Sequence, residues 1–299
     1  MHLAEIDHIS VSICTYKRPE LLSRLLQGLE RQSTDRSFTY SITVVDNDFG
    51  ESARETTDLF RSKSSIDIQY YVEPRKGIPL ARYKAVANAK GNLVAFIDDD
   101  EFPAENWLYK LYETLRKYKA DGVLGPVKPR FETNPPEWII KAKVFERPSH
   151  KTGTVLHWEE TRTGNVLLLR NIFRKREDWF NPDFPHGEDK DFFRRMISKG
   201  LVFVWCDEAP VYETERSERF SRSYFLKLAL LRGNVSLRHR SSKIGPLIKS
   251  TIALGIYSCM LPFLGFAGHH LFMRYLVKDC DHLGRILRGC GINIEKYLL

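Results

Sequence analysis

The first 130 residues alternate short, β-branched apolar runs with helical patterns, and that alternation leaves few architectures open. Ile9 to Cys14 reads as a strand. Pro19 follows at the favoured first position of a helix, with Leu21, Leu22, Leu25, Leu26 and Leu29 at helical spacing on one face. Ile42 to Val45, Ile66 to Val72 and Leu93 to Ile97 predict three further strands, and a helix over 79–90 stops at Gly91. Strands joined through helices build a mostly parallel sheet flanked by helices, an α/β fold. From about Gly122 the pattern is less regular, with prolines at 126, 129, 135 and 136, a strand at Asn165 to Leu169, a helix over 188–199 and a strand at Val202 to Cys206.

The strands end in polar residues: Thr15-Tyr16-Lys17-Arg18, Asp46-Asn47-Asp48, and Asp98-Asp99-Asp100-Glu101. Open α/β sheets bind ligands outside the carboxyl ends of their strands, so these groups are expected to collect at one binding edge. Four adjacent carboxylates repel one another, and an oxygen-preferring divalent cation, Mg²⁺ or Mn²⁺, relieves that strain while bridging to a substrate diphosphate. A solvated acidic turn is the alternative reading. Neither G-x-G-x-x-G nor G-x-x-x-x-G-K-[ST] is present, which removes the dinucleotide fingerprint and the P-loop. A second acidic motif, His186-Gly187-Glu188-Asp189, opens a helix. Carboxylates there are favoured by the helix dipole; they serve as ordinary capping chemistry or, facing a cleft, as a general base.

Charge narrows the partners only slightly. The chain carries 46 basic and 38 acidic residues, net +8, which suits nucleic acid, anionic lipid or a phosphorylated substrate. It has no nucleic-acid-binding motif, so no nucleic-acid partner is expected. The five cysteines, Cys14, Cys206, Cys259, Cys280 and Cys290, include no C-x-x-C pair, which argues against a disulfide framework or a zinc site and suits a reducing compartment. The opening MHLAEIDHIS has no apolar h-region, so a cleaved secretory signal is not expected.

The succession VSICTYKRP, VVDND, GIPLARYKAVANAKGNLVAFIDDDE, GNVLLLR and FPHGEDKDFFRRMISKG, over roughly residues 8 to 240, resembles the family 2 glycosyltransferases of the GT-A fold, especially bacterial exopolysaccharide enzymes of the succinoglycan type. The resemblance implies an inverting transfer of a sugar from a nucleotide sugar, commonly a UDP sugar, to an acceptor hydroxyl. It implies that Thr15 and Arg18 lie near the base, that Asp46 holds the base, and that Arg82 lines the nucleotide site. Asp98 and Asp100 match the D-x-D pair, with Asp98 near the ribose and Asp100 on the metal. Asp99 lies between them, and which two of the three act stays open. Asp189 matches the catalytic base, with Glu188 positioning the acceptor. Trp138 resembles a sugar-stacking platform, and Arg219, among Arg216, Arg219 and Arg222, lies where such enzymes often carry a mobile lid. The Q-x-x-R-W motif of processive members is missing, which favours single additions.

These readings divide the chain into a glycosyltransferase domain over 1–240, with a nucleotide-binding half (1–130) and an acceptor half (131–240), and an apolar and basic helical tail over 241–299. No formally charged residue lies between Lys249 and Arg274, a run long enough to span a bilayer. Pro262, three glycines and His269-His270 interrupt it, so an interfacial or re-entrant hairpin is expected, with a buried soluble helix pair as the alternative. A lipid-linked saccharide acceptor at the cytoplasmic side of the inner membrane suits the first. Two other functions fit a chain of this kind: a non-catalytic sugar-nucleotide binding or scaffold protein, and a nucleotidyltransferase. The latter calls for a Gly-rich loop after the first strand, where this chain has TYKRPE.

Overall fold

A computed structural model of the chain describes residues 6–176, 179–182, 184, 187–237 and 244–294. His186 of the second acidic motif lies outside the described residues. In chain order the first elements are β1 (Asp7–Thr15), α1 (Pro19–Glu30), β2 (Phe38–Asp46), α2 (Arg54–Arg61), β3 (Ile68–Val72), α3 (Ile78–Asn88) and β4 (Leu93–Ile97). Next come β5 (Glu101–Pro103), α4 (Trp107–Tyr118), β6 (Gly122–Leu124), β7 (Val127–Phe131), α5 (Glu137–Ala142) and β8 (Asn165–Leu169). The chain continues through α6 (Glu188–Ser198), β9 (Phe203–Trp205), β10 (Val211–Glu215), α7 (Arg222–Ser236), α8 (Ile244–Ala267) and α9 (His269–Gly289).

Two compact units result: Met1–Lys128 with Arg147–Glu213, and Pro129–Glu146 with Thr214–Leu299. The short segment carrying α5 groups with the C-terminal helices, and α5 packs on α9.

The first unit is built on a seven-stranded sheet in the order β3-β2-β1-β4-β8-β6-β9. β1 pairs in parallel with β2 and β4, β2 with β3, and β6 with β9, while β8 runs antiparallel to both β4 and β6. The mostly parallel sheet expected from the sequence is therefore present, with one reversed strand. Strand alternation feeds two cores. In β4, Leu93, Ala95 and Ile97 join the leucines of α1 and Trp107, Leu108 and Leu111 of α4 on one face. Val94 and Phe96 join Ala81, Ala85, Phe192 and Phe193 on the other. Buried on both faces, β4 reads as a continuous apolar run, as central strands of parallel sheets do.

In the second unit α9 packs along both α7 and α8. Gly233 of α7 and Gly284 of α9 allow the close crossing: a Cβ added at Gly233 would lie 2.0 Å from the Asp281 carbonyl oxygen, and one at Gly284 would lie 2.2 Å from that of Leu230. α8 faces its neighbour with polar groups. The Ser258 hydroxyl donates to Asp279 at 3.0 Å, and Ser250 lies 3.2 Å from the His282 ring. Many of its apolar residues nevertheless point outward: Ile244, Ile248, Ile252, Ile256, Phe263 and Phe266 are all exposed, Phe266 by 93%. At 24 residues, α8 is long and apolar enough to cross a membrane by length and composition.

Candidate active site

Strand register gathers the functional side chains. Thr15 pairs with Asp46, and Asp46 with Val72, so β1, β2 and β3 end at one edge. β8 enters the same edge from the opposite direction, because its first residue, Asn165, pairs with Ile97 at the end of β4. The residues just before β8 therefore meet the residues just after β4. Between them lies a cavity of about 1030 Å³ in the first unit, lined by Thr15, Arg18, Arg82, Asp98, Asp99, Asp100, Glu188 and Asp189 among others.

The acidic turn after β4 is tied to the turn after β1. Thr15 Oγ1 donates to Asp99 at 2.8 Å, and one Arg18 nitrogen donates to Asp99 at 2.9 Å and to Asp100 at 3.1 Å. The Asp98 side chain keeps 45% of its surface exposed in the cavity, and accepts from Arg82 at 3.3 Å. Glu101 turns back to accept the Asp98 backbone N–H at 3.1 Å. Asn47, after β2, closes a further wall. Its amide donates to the carbonyls of Glu73 and Arg75, and its oxygen accepts from Gly77 N–H, which starts α3.

The second acidic motif reaches this cavity through the geometry of its glycine. Gly187 caps α6 at a φ of 79°, a left-handed conformation that glycine adopts without cost, and the helix then opens directly on Glu188 and Asp189. Glu188 is buried and bonded to Arg82, so α3 and α6 are joined across the cleft by an ion pair that Asp98 shares. Asp189 lines the cavity and accepts the Lys190 backbone N–H at 2.7 Å. Lys190 in turn donates through Nζ to the carbonyl of Glu159 at 2.7 Å and to that of Thr161 at 2.5 Å, fixing the segment before β8 against α6.

Burial sets the protonation energetics. It pushes Asp100 up to about 6, with Asp98, Glu213 and Asp99 adding to the rise and Arg18 opposing it. Burial likewise raises Asp99, outweighing its bonds from Arg18 and Thr15. Glu101, buried beside Asp98 and Glu213, is raised well above the ordinary range. Burial pushes Glu188 up to about 7 against the pull of Arg82.

A row of acids penalised for being charged is the donor chemistry that a hard divalent cation relieves. Among the described residues no group of three or more His, Cys, Asp or Glu comes together in metal-holding fashion. One or two carboxylates are sufficient for Mg²⁺ when substrate phosphates and water complete the shell, so Asp98 and Asp100 fit such an ion.

Three residues singled out in the sequence are not among those that line this cavity. Asp46 does not line the cavity; its carboxylate is fully buried and accepts from Ala53 N–H, Asp48 N–H and the Tyr70 hydroxyl, ordering the turn after β2. Trp138 belongs to the second unit, where its ring lies edge-on to Phe225 at 5.6 Å and to His269 at 5.8 Å. Arg219, also in the second unit, pairs with Glu215 at 3.1 Å. Conversely, the sequence reading passed over Arg147, Arg162, Lys190 and Glu213, all of which line the cavity. A reversed direction for β8 would have flagged Arg162, since it brings the residues before that strand to the acidic turn.

Residues 10–179 match the family model described as glycosyl transferase family 2. The chain is 33% identical over 228 residues to the succinoglycan biosynthesis protein ExoM of Rhizobium meliloti, an alignment covering 75% of this chain and 72% of that protein. Among solved structures, residues 1–349 of S. aureus TarS in complex with UDP-GlcNAc superpose with a TM-score of 0.55 at 15% identity, over 95% of this chain and 92% of that one. GalNAc-T7 with UDP, GalNAc and Mn²⁺ gives a TM-score of 0.55 at 14% identity, over 75% and 48% respectively. With the sheet, the edge and the family match in agreement, the chain belongs to glycosyltransferase family 2 and has the GT-A fold.

Proposed function

We propose that the chain is an inverting glycosyltransferase that moves a sugar from a UDP sugar to the hydroxyl of a saccharide acceptor, with Asp189 as the base. One observation carries this reading: the acids after β4 and the acids opening α6, far apart in sequence, line one cavity. Inversion needs one carboxylate to take the acceptor proton from the face opposite the departing diphosphate. Asp189 is suited to that task because its neighbour Glu188 is already engaged by Arg82, leaving the two acids with separate work.

Asp98 and Asp100 would hold a Mg²⁺ or Mn²⁺ ion, which supplies charge neutralisation for the leaving diphosphate. Arg18 orients Asp99 and Asp100, and Thr15 fixes Asp99 from the other side. Support for UDP comes from the fold neighbours solved with UDP-GlcNAc or with UDP and Mn²⁺. Support for an exopolysaccharide acceptor comes from the succinoglycan biosynthesis relative. The outward apolar face of α8 favours a lipid-linked acceptor met at the cytoplasmic surface of a membrane.

The deciding experiment is a panel of nucleotide sugars in a thermal-shift assay with and without Mn²⁺, followed by product analysis with the donor that binds. A UDP sugar should stabilise the chain in an Mn²⁺-dependent way. No stabilisation by any nucleotide sugar would overturn the reading, and binding without transfer to any saccharide would leave a scaffold protein.

A further inference from the structure

The cations of the cavity are almost all spoken for. Arg18 bonds to Asp99 and Asp100, Arg82 to Glu188 and Asp98, Arg147 to Glu213, and Lys190 to two backbone carbonyls. Lys76 lies 5.2 Å from the centre of the Tyr16 ring. Arg162 differs. It lines the same cavity, yet among the described residues it makes no hydrogen bond or ion pair with a protein group.

Its placement is rigid. Arg162 lines the cavity together with the next two residues, Thr163 and Gly164, and the threonines on either side of it are buried. The Lys190 ammonium grips the carbonyls of Glu159 and Thr161 just before it. After it, Asn165 is locked by bonds from its amide to the carbonyls of Pro126 and Ala209 and from the Trp107 indole to its oxygen. A backbone held at both ends lowers the part of the ordering cost that the main chain would otherwise add when an anion binds. Burial and the neighbouring Arg147 pull its pKa down to about 10, so its charge is poorly compensated, although Glu101, Asp189 and Glu213 offset part of that cost. An anion would complete the compensation.

The side of the reaction follows from the neighbours. The segment carrying Arg162 is fastened to α6, the helix that begins with Glu188 and Asp189, whereas the turns after β1 and β2 form the wall assigned to the nucleotide. We propose that Arg162 is an acceptor-recognition residue, whose guanidinium grips an anionic group, carboxylate or phosphate, carried by the acceptor saccharide next to the hydroxyl that Asp189 deprotonates. This rests on the glycosyltransferase reading above and adds the chemical class of the acceptor. A planar guanidinium meets either group with two parallel N–H···O bonds, a geometry that a neutral hydroxyl cannot offer.

Calorimetric titration of the full chain, saturated with UDP and Mn²⁺, tests the assignment with three probes: methyl glucoside, methyl glucuronide and glucose 1-phosphate. In the wild type, at least one of the two anions should bind about ten-fold or more tighter than the neutral glycoside. Preference for the glucuronide identifies an acidic sugar, and preference for glucose 1-phosphate identifies a sugar phosphate. Arg162→Gln should bring the favoured anion to the level of the glucoside, while UDP affinity, which also reports folding, stays within about two-fold. Arg162→Lys, which keeps the charge and loses the fork, should recover only part of the preference. Anions that bind no better than the glucoside, a preference that survives Arg162→Gln, or an equal loss of UDP affinity in that variant would each overturn the assignment. If the wild type failed to bind UDP with Mn²⁺, the donor reading itself would fall, and this proposal with it.

Discussion

Arg82 of α3 is bonded to Glu188, the first residue of α6, and reaches Asp98 at 3.3 Å, so one buried guanidinium holds together the two acidic halves of the cavity. Burial alone would lower the Arg82 pKa, but Glu188 and Asp98 outweigh it and the net shift is upward. Arg82→Ala would leave Glu188 buried without its counter-charge, a change that typically costs about 3–5 kcal/mol. Glu188→Gln should cost less, because it removes a charge that burial already disfavours. Urea unfolding followed by tryptophan fluorescence measures both, and a loss below about 1 kcal/mol in Arg82→Ala would show that water, not protein, compensates these acids.

Asp189→Asn separates binding from chemistry. A base acts on the acceptor proton in the transition state and contributes little to holding the nucleotide. Transfer should fall by a factor of about 10² to 10⁴, with UDP affinity and donor KM nearly unchanged. A variant that loses UDP affinity in step with turnover would assign Asp189 to the donor site instead.

The elevated Asp100 pKa makes stability and cation binding respond oppositely to pH. Its folded value of about 6 exceeds the ordinary 3.8, so proton uptake favours the folded state. That contribution is complete below the ordinary carboxylate range and is lost as pH rises through about 6, amounting to roughly 3 kcal/mol. Cation binding requires the carboxylate, so Mn²⁺-dependent UDP affinity should climb with pH and level off above about 6. Asp100→Asn should flatten both profiles and remove most of the Mn²⁺ dependence. Mn²⁺-dependent affinity that does not change across that range in the wild type would remove Asp100 from the cation site.

The parts of this site that the sequence discloses are those whose local pattern and position coincide. Leu93–Ile97 is apolar throughout because it is buried on both faces, and its acids follow where a parallel strand must end. Gly187 before Glu188 marks a helix start in the same way. Direction is harder to read. Four apolar residues at 166–169 after Asn165 specify a strand but not its orientation, and only the antiparallel pairing with β4 brings Arg162 to the acids. Arg147 and Glu213 meet through tertiary packing alone, with nothing in their neighbourhoods to mark them. The bond of the Asp46 carboxylate to the Tyr70 hydroxyl is likewise tertiary, with no local pattern to announce it.

α8 is apolar on its outer side as well as toward α9, where Tyr257 meets Tyr275. Ser250 and Ser258 face α9, while isoleucines at 244, 248, 252 and 256 repeat every fourth residue along the outer side and Phe263 and Phe266 extend it. A stripe of this size left in water is a membrane or partner surface. Each isoleucine or phenylalanine moved from water into an apolar phase contributes about 1.5–3 kcal/mol. Replacing Ile252, Ile256 and Phe263 together by serine should therefore weaken co-sedimentation with anionic vesicles by at least about a hundred-fold. UDP binding by the first unit should be unaffected, since none of the three residues belongs to it. Vesicle binding that persists in the triple variant would shift the membrane contact to the basic residues of α7 and α9, where raised salt should then abolish it.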